Sequence, residues 1–338
     1  MKKIVVIAIL LGHTCYAIAQ GQKFASIGDL NLASGETIKN CTIGYRTHGR
    51  LNPDKSNAVV FLTWFGGTSG NVESTRPWQA VDTTRYYLII ADALGDGVST
   101  SPSNSAAQHG TAFPAISIKD MVKSQYIFLT QKLGLRHVHA VMGISMGGIQ
   151  TFQWAVSYPD FMDVLIPLVG SPRPTSYDLM LYTTYRTIID TDTAFHHGDY
   201  VINPVIPAAN MLWELFLSTP TNRVKSTPPE GFQAWLHFAQ TKPTGDYNNI
   251  FYQVSAVIGH DITKDFNGSM QQAAAHVKAK MLIISSKQDH MVNPAPAIAF
   301  SKLLPARLVL LDSELGHLVT DFSSPEIKDS IREALSGD

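Results

Sequence analysis

The chain contains 338 residues, of which 26 are Lys or Arg and 27 are Asp or Glu, giving a formal net charge of -1. This near-neutral balance, with no basic block, argues against a protein that binds nucleic acid through its charge. Hydrophobic residues make up 45% of the chain and charged residues 16%, which excludes disorder as the main state and allows a sizeable α/β core.

The first residues have the pattern of a secretory signal peptide. Lys2 and Lys3 precede the apolar run 4–11, and residues 17–19 read Ala-Ile-Ala, a typical cleavage site. The apolar run is too short to span a bilayer, and no later run is long enough. We therefore predict a signal peptide over residues 1–19. Its removal takes away two lysines, so the mature protein has a charge of -3 and is predicted to be periplasmic or secreted, without a stable membrane span.

Further along the chain, short apolar runs alternate with segments of helical periodicity. Runs that are apolar throughout and rich in β-branched residues predict strands of a parallel sheet covered on both faces. They lie at residues 58–64, 86–91, 138–144, 164–169, 281–285 and 307–311. Helical spacing predicts helices at residues 118–133, 146–157, 295–304 and 325–335. This alternation is typical of a three-layer α/β sheet.

Residues 171–270 interrupt the alternation. They contain no clear strand, are rich in Tyr, Trp, Thr and Pro, and place apolar residues such as Met211 and Leu215 at helical spacing. Because the strand pattern resumes at Met281, an inserted helical cap is a more economical explanation than a second independent domain. We predict a core of residues 20–170 and 271–338 and a cap of residues 171–270.

The segment Gly143-Ile144-Ser145-Met146-Gly147 has the G-x-S-x-G pattern of a nucleophile elbow. The pattern lies where a predicted strand ends and a predicted helix begins, which is where such a turn exposes its serine. Small residues suit this place because the serine backbone is strained and a neighbouring chain packs closely. An idle serine in a glycine-rich turn is the alternative. The context favours Ser145 as a nucleophile.

A serine nucleophile needs a base, and the base needs an orienting carboxylate. Asp289 and His317 each follow a late predicted strand, at the carboxyl end where open α/β sheets place their sites. The order nucleophile, acid, base along the chain favours this pair. Asp312 is the alternative acid, and His290 and His260 are the alternative bases.

Serine chemistry also needs two backbone amides that stabilise an oxyanion. Met146, the residue after the predicted nucleophile, supplies one of them in this type of site. The second is expected in the glycine-rich run 62–70, after an early predicted strand. Phe65 is the first candidate and Trp64 the next, and their rings are predicted to form pocket wall.

Other motifs point to no cofactor and no metal. The run His196-His197-Gly198-Asp199 lacks a third ligand at a recognisable spacing, and Asp190-Thr191-Asp192 lacks the glycine and glutamate of an EF-hand loop. There is no G-x-G-x-x-G and no P-loop. The pairs Trp213/Phe216 and Trp235/Phe238 have helical spacing and are predicted to be core residues rather than substrate contacts.

Five segments together match the motifs of one known family. They are Ile43-Gly44-Tyr45, Ser101-Pro102-Ser103, residues 113–122, residues 143–148, and residues 311–317. With these motifs the chain resembles the homoserine O-acetyltransferase branch of the α/β-hydrolase superfamily. The resemblance implies the α/β-hydrolase fold and a triad of Ser145, Asp289 and His317. In such enzymes the serine takes an acyl group from an acyl-thioester and passes it to an alcohol. Relatives commonly dimerise through cap helices, which implies a homodimer.

Two segments differ from the acetyltransferase pattern. The family loop that resembles HALTG reads TWFGG at residues 63–67, and Asn210 stands where the family has a cap arginine that faces the substrate carboxylate. An amide cannot replace a bidentate guanidinium in that role. Trp64 and Asn210 are therefore candidate substrate-binding residues for a different small-molecule acyl substrate.

Acetyl-CoA is a cytoplasmic metabolite, so the predicted export also favours a substrate different from that of the acetyltransferases. We predict a serine hydrolase of the esterase type that forms an acyl-enzyme and releases it to water. An O-acyltransferase that uses an acyl-CoA donor is the first alternative. A non-catalytic binding protein with the α/β-hydrolase fold is the second.

Overall fold

The computed structural model describes residues 21–337, so the predicted signal peptide lies outside the described residues. The eight strands within this range are β1 (Lys23–Asn31), β2 (Thr37–His48), β3 (Ala58–Leu62), β4 (Tyr87–Ala91), β5 (Val138–Ile144), β6 (Met162–Leu168), β7 (Lys280–Ser286) and β8 (Ala306–Leu311). They form one sheet in the order β1-β2-β4-β3-β5-β6-β7-β8. Strands β3 to β8 are parallel, whereas β2 pairs antiparallel with both β1 and β4. The predicted, mostly parallel sheet is confirmed.

Eleven α-helices lie within residues 21–337. They are α1 (Ser69–Ser74), α2 (Ile118–Ile127), α3 (Met146–Ser157), α4 (Ser176–Thr191), α5 (Pro207–Phe216), α6 (Pro220–Ser226), α7 (Phe232–Thr241), α8 (Tyr247–Ile258), α9 (Met270–His276), α10 (Ala295–Ser301) and α11 (Pro325–Ser336). Short 3-10 turns occur at Pro77–Gln79, Gly110–Ala112, His196–Gly198, Pro229–Gly231, Lys264–Phe266 and Gly316–Val319. No helix in the described range is both long enough and apolar enough to cross a bilayer.

Both faces of the sheet are buried, and the side chains of each strand divide between them. In β3, Ala58, Val60 and Leu62 belong to one core cluster, and Val59 and Phe61 belong to the other. Helices α2, α3 and α10 contribute to the first cluster, and α1 and α11 contribute to the second. This division explains why the parallel strands are apolar throughout, and it confirms the predicted three layers.

The structure contains two strands that the sequence does not predict, β1 and β2. β1 lies at the edge of the sheet, most of its side chains are at least partly exposed, and register shifts around Gly28 interrupt its pairing with β2. It therefore lacks the continuous apolar run of a strand covered on both faces.

The predicted helix over residues 118–133 is too long, because α2 ends at Ile127 and a π-helical turn, Phe128–Lys132, follows.

Between β6 and β7 the described chain forms helices α4 to α9 and no strand. Helix α4 packs against α5 and α8, and α5 packs against α7. Helix α9 instead packs against α3 and α10, which flank the sheet. The aromatic ring of Trp213 on α5 stacks on Phe65, and Gln253 on α8 accepts a hydrogen bond from Gly66. Helices α5 and α8 thus lie over the loop that follows β3.

Candidate active site

Ser145 lies at a sharp turn between β5 and α3. Its backbone has φ 57° and ψ -118°, a combination that residues other than glycine rarely adopt. The Ser145 amide donates to the carbonyl of Leu168 at 2.9 Å, and the amide of Ile149 donates to the Ser145 carbonyl at 2.8 Å. Hydrogen bonds on both sides therefore hold the strained turn that a nucleophile elbow needs.

Glycines beside Ser145 allow three pieces of backbone to pack closely. A methyl group on Gly147 would collide with the carbonyl group of Leu62 at the end of β3. One on Gly143 would meet the backbone of Gly147 at 2.5 Å. The two outer glycines of the G-x-S-x-G pattern are thus required by contact with neighbouring backbone, which cannot move aside as a side chain can.

Replacing Gly147 by alanine is expected to lower the free energy of unfolding by about 2 to 3 kcal/mol, because the added methyl group overpacks a backbone contact. The matched control is Gly259→Ala at the end of α8, where the nearest atom to the added carbon is a carbonyl oxygen at 3.5 Å. Urea unfolding of both variants measures the difference. Equal midpoints for the two variants would contradict the assigned cause.

The structure brings Ser145, His317 and Asp289 together in one hydrogen-bonded chain. His317 Nε2 lies 2.8 Å from Ser145 Oγ, and His317 Nδ1 lies 2.7 Å from Asp289 Oδ2. Asp289 follows β7 and His317 follows β8, so the carboxyl ends of β5, β7 and β8 converge on one point. The Asp289 and His317 side chains are 1% and 8% exposed, which keeps their contact away from bulk water.

The second carboxylate oxygen of Asp289 is fixed by its own loop. Asp289 Oδ1 accepts hydrogen bonds from the amides of Met291 at 2.8 Å and Val292 at 2.9 Å. With both oxygens engaged, the carboxylate has one orientation toward the imidazole. An imidazole held in this way can keep its proton on Nδ1 and accept a serine proton at Nε2.

The alternative acid, Asp312, and one of the two alternative bases, His260, lie elsewhere. Asp312 is exposed and pairs with Lys287 at 3.0 Å, an interaction that lowers the pKa of its carboxyl group. His260 is buried, and burial lowers the pKa of its imidazole to about 4. It lines a cavity that Ser145 does not line. Within the described chain, His317 is the histidine that contacts the serine hydroxyl.

The loop after β3 contributes Trp64 and Phe65 to the cavities that Ser145 lines. The Gly66 amide donates to Gln253 Oε1 at 2.8 Å, and the Gly67 amide donates to the Trp64 carbonyl at 3.0 Å, so both are occupied. Among the described residues, no acceptor contacts the amide of Phe65. Phe65 and Met146 both line the space next to Ser145. The two residues predicted to supply the amide donors therefore line the same space as the serine.

Two buried glutamines hold this loop in place. Gln150 Nε2 donates to the carbonyls of Thr63 at 3.1 Å and Met146 at 3.2 Å, which links the β3 loop to the start of α3. Gln253 reaches down from α8 and also donates to the carbonyl of Leu94 at 3.2 Å. The positions of both predicted amide donors are thus fixed from the core and from the helices above it.

Two cavities meet at Ser145, which we call the inner chamber and the outer cavity. The inner chamber has a volume of about 10 Å³ and mostly apolar walls. Besides Ser145, its walls are formed by Phe65, Met146, Ile149, Tyr182, Trp213, Val254, Val257 and Met291. The outer cavity has a volume of about 420 Å³. It is lined by Trp64, Phe65, Thr75, Ile144, Ser145, Trp213, Leu217, His317, Leu318 and Thr320.

The two predicted substrate-binding residues differ in position. Trp64 lines the outer cavity, whereas Asn210 lines neither space. Asn210 is buried in α5 and accepts a hydrogen bond from the Tyr247 hydroxyl at 3.0 Å. The inference that it faces a substrate therefore receives no support from its contacts.

Trp213 lines the cavities beside Ser145. The sequence treats it as a core residue, but it lines both cavities, and its ring stacks on Phe65 with centroids 4.8 Å apart. Tyr182 and Val257 also line the inner chamber without having been singled out. Helical spacing cannot find such residues, because a face that covers a cavity is as apolar as a face that covers a core.

The histidine and aspartate runs noted in the sequence form no metal site in the described part of the chain. His197 Nδ1 lies 3.3 Å from Asp190 on an exposed surface. Within residues 21–337, no three His, Cys, Asp or Glu side chains come close enough to hold a metal ion.

Comparison with known proteins places this geometry in a family. The family model for the alpha/beta hydrolase fold matches residues 57–323. An ethyl acetate hydrolase from Pseudomonas veronii is 30% identical over 317 residues, covering 88% of this chain and 90% of that protein. A homoserine O-acetyltransferase from Geotalea daltonii is 28% identical over 352 residues, covering 90% of this chain and 95% of that protein.

A solved structure agrees with these sequence relatives. The crystal structure of an acetylester hydrolase from Corynebacterium glutamicum matches with a TM-score of 0.83 and 26% identity, covering 94% of this chain and 96% of that chain. The relatives thus include enzymes that hydrolyse esters and enzymes that transfer acyl groups. The chain belongs to the α/β-hydrolase superfamily, in the branch that resembles homoserine O-acetyltransferase, and is an enzyme acting on ester or related acyl bonds.

Proposed function

We propose that the protein is a periplasmic or secreted serine esterase that hydrolyses esters of short acyl groups through an acyl-enzyme. The observation that carries this proposal is the hydrogen-bonded chain from Ser145 to Asp289 at the junction of a small and a large cavity. Export is supported by the pattern of residues 1–19, and a mature chain that begins at Gln20 would establish it.

The first half of the reaction transfers the acyl group to Ser145. His317 Nε2 takes the hydroxyl proton as Ser145 Oγ attacks the ester carbonyl carbon. The negative charge that develops on the carbonyl oxygen is stabilised by the amides of Phe65 and Met146. The bond to the alcohol oxygen then breaks, and His317 returns the proton to the departing alcohol.

The second half repeats these steps with water. A water molecule enters where the alcohol left, His317 takes its proton, and the water oxygen attacks the acyl carbon. Collapse of the intermediate breaks the bond to Ser145 Oγ, which regains its proton from His317. The products are a carboxylic acid and the free enzyme.

The sizes of the two cavities support a short acyl group and a larger alcohol. The inner chamber, at about 10 Å³, has room for little more than a methyl group beside the reacting carbon. The outer cavity, at about 420 Å³, lies on the His317 side, where the leaving alcohol must receive its proton. The relative described as an ethyl acetate hydrolase has a substrate with a short acyl group.

The cap helices favour water over homoserine as the acceptor of the acyl group. Asn210, which occupies the position of the family arginine, is buried and bonded to Tyr247, so it offers no charge to a substrate carboxylate. Acyl transfer from acyl-CoA to an alcohol is the alternative function, and homoserine O-acetyltransferases among the relatives favour it.

The experiment measures acid release from ethyl acetate and phenyl acetate by the purified mature protein, beside acetyl transfer from acetyl-CoA to homoserine. We expect hydrolysis of both esters and no acetyl-CoA consumption that depends on homoserine. Faster transfer than hydrolysis would establish the acyltransferase instead. Absence of both activities would overturn the proposal.

A further inference from the structure

A second small cavity, which we call the rear chamber, lies behind the inner chamber. Its volume is also about 10 Å³, and Ser145 is not among its lining residues. It is lined by Ile149, Ser171, Pro174, Asp178, Tyr182, Val257, His260 and Val292. No step of the proposed mechanism uses this space.

Three side chains line both chambers and therefore form the wall between them. They are Ile149 on α3, Tyr182 on α4 and Val257 on α8. All three are buried. An acyl chain that extends from Ser145 through the inner chamber meets this wall before it can reach the rear chamber.

Among the described residues, neither His260 nor Asp178, which line the rear chamber, takes part in an ion pair that an incoming chain would have to break. Burial lowers the pKa of His260 to about 4, so this imidazole is neutral at neutral pH, and its Nε2 has no hydrogen-bond partner among the described residues. The carboxylate of Asp178 is engaged on both oxygens, by Thr175 at 2.7 Å and by the amide of Asn293 at 2.9 Å. An uncharged hydrocarbon chain can therefore enter without displacing an ion pair.

The three wall residues differ in what else they hold. Ile149 lies on the first turn of α3, directly after the strained turn at Ser145, and the Tyr182 hydroxyl donates to the carbonyl of Met291 at 2.6 Å. The Val257 side chain has no polar group, so its methyl groups contribute packing alone. Shortening Val257 thus opens the wall with the least disturbance to the reacting groups.

We propose that Val257 limits the length of the acyl group that the enzyme accepts, and that the rear chamber holds the end of a longer acyl chain once this side chain is shortened. The inference rests on the proposed esterase function. It assigns the limit on acyl length to the helices above the sheet rather than to the residues that react. It also makes the rear chamber a latent extension of the acyl site.

The test compares Val257→Ala with Val254→Ala. Each variant removes two methyl groups from one valine of α8. Val257 lines both chambers, whereas Val254 lines only the inner chamber. For each enzyme, kcat/KM is measured with p-nitrophenyl acetate and p-nitrophenyl butyrate. The ratio of butyrate to acetate is expected to rise about tenfold or more in Val257→Ala, and several-fold less in Val254→Ala.

The ratio is taken within one preparation, so partial unfolding of a variant does not change it. The opposite substitution, Val257→Ile, is expected to lower the ratio of propionate to acetate, and it keeps the inference testable if Val257→Ala does not fold. An unchanged ratio in Val257→Ala, or an equal rise in both alanine variants, would overturn the inference alone. A wild-type enzyme inactive on every ester would overturn the proposed function with it.

Discussion

Replacement of Ser145 by alanine is expected to lower kcat for acetate esters by about 10⁶-fold, which corresponds to about 8 kcal/mol of activation free energy. The reason is that no other hydroxyl or thiol group of the described chain lies within hydrogen-bond distance of His317 Nε2. In the proposed mechanism the acyl-enzyme cannot form without Ser145 Oγ. The residual rate comes from binding and from the two backbone amides, which the substitution leaves in place.

The matched control for this prediction is Ser285→Ala. Ser285 is a buried serine near the carboxyl end of β7, and its hydroxyl has no hydrogen-bond partner among the described residues. Its loss should leave kcat within about twofold of the wild type, since the Ser285 hydroxyl makes no hydrogen bond to Ser145, His317 or Asp289. A fluorophosphonate should label the wild type and Ser285→Ala, but not Ser145→Ala. Labelling of Ser145→Ala at another residue would show that a different nucleophile acts.

Much of the sheet can be predicted from the sequence, because its parallel strands are covered on both faces. The run at residues 138–144 matches β5 as found, and the other predicted strands differ from the observed ones by no more than two residues at either end. β1 escapes prediction for the opposite physical reason. Most side chains of β1 are exposed to some extent, so its sequence includes polar residues such as Lys23 and Asp29 and has no continuous apolar run.

The residues around Ser145 can be predicted to different degrees. Ser145, Asp289 and His317 stand at strand ends, where topology alone brings them to one edge of the sheet, and the structure finds them in contact. Trp213 and Val257 could not be assigned in this way, because they come from helices whose direction relative to the sheet is not encoded in local periodicity. Contact across long sequence separations decides which face of a cap helix covers the cavity and which covers the core.

The prediction with the next largest effect is Asp289→Asn, which is expected to lower kcat by about 10⁴-fold. Asp289 Oδ1 accepts two amide hydrogen bonds, from Met291 and Val292, so the amide oxygen of asparagine should take this place. The amide nitrogen then faces His317 Nδ1 and donates to it. This contact moves the imidazole proton to Nε2. A protonated Nε2 can no longer accept the proton of Ser145.

The competing acid supplies the matched control. Asp312→Asn makes the same chemical change at the end of the neighbouring strand, β8, at a carboxylate that is exposed and paired with Lys287. Exposed ion pairs contribute little, so kcat should stay within about twofold of the wild type. Steady-state kinetics of both variants on phenyl acetate measure the contrast. A larger loss in Asp312→Asn than in Asp289→Asn would mean that His317 is oriented by the other carboxylate during the reaction. The contact of 2.7 Å between His317 and Asp289 would then belong to the resting enzyme only.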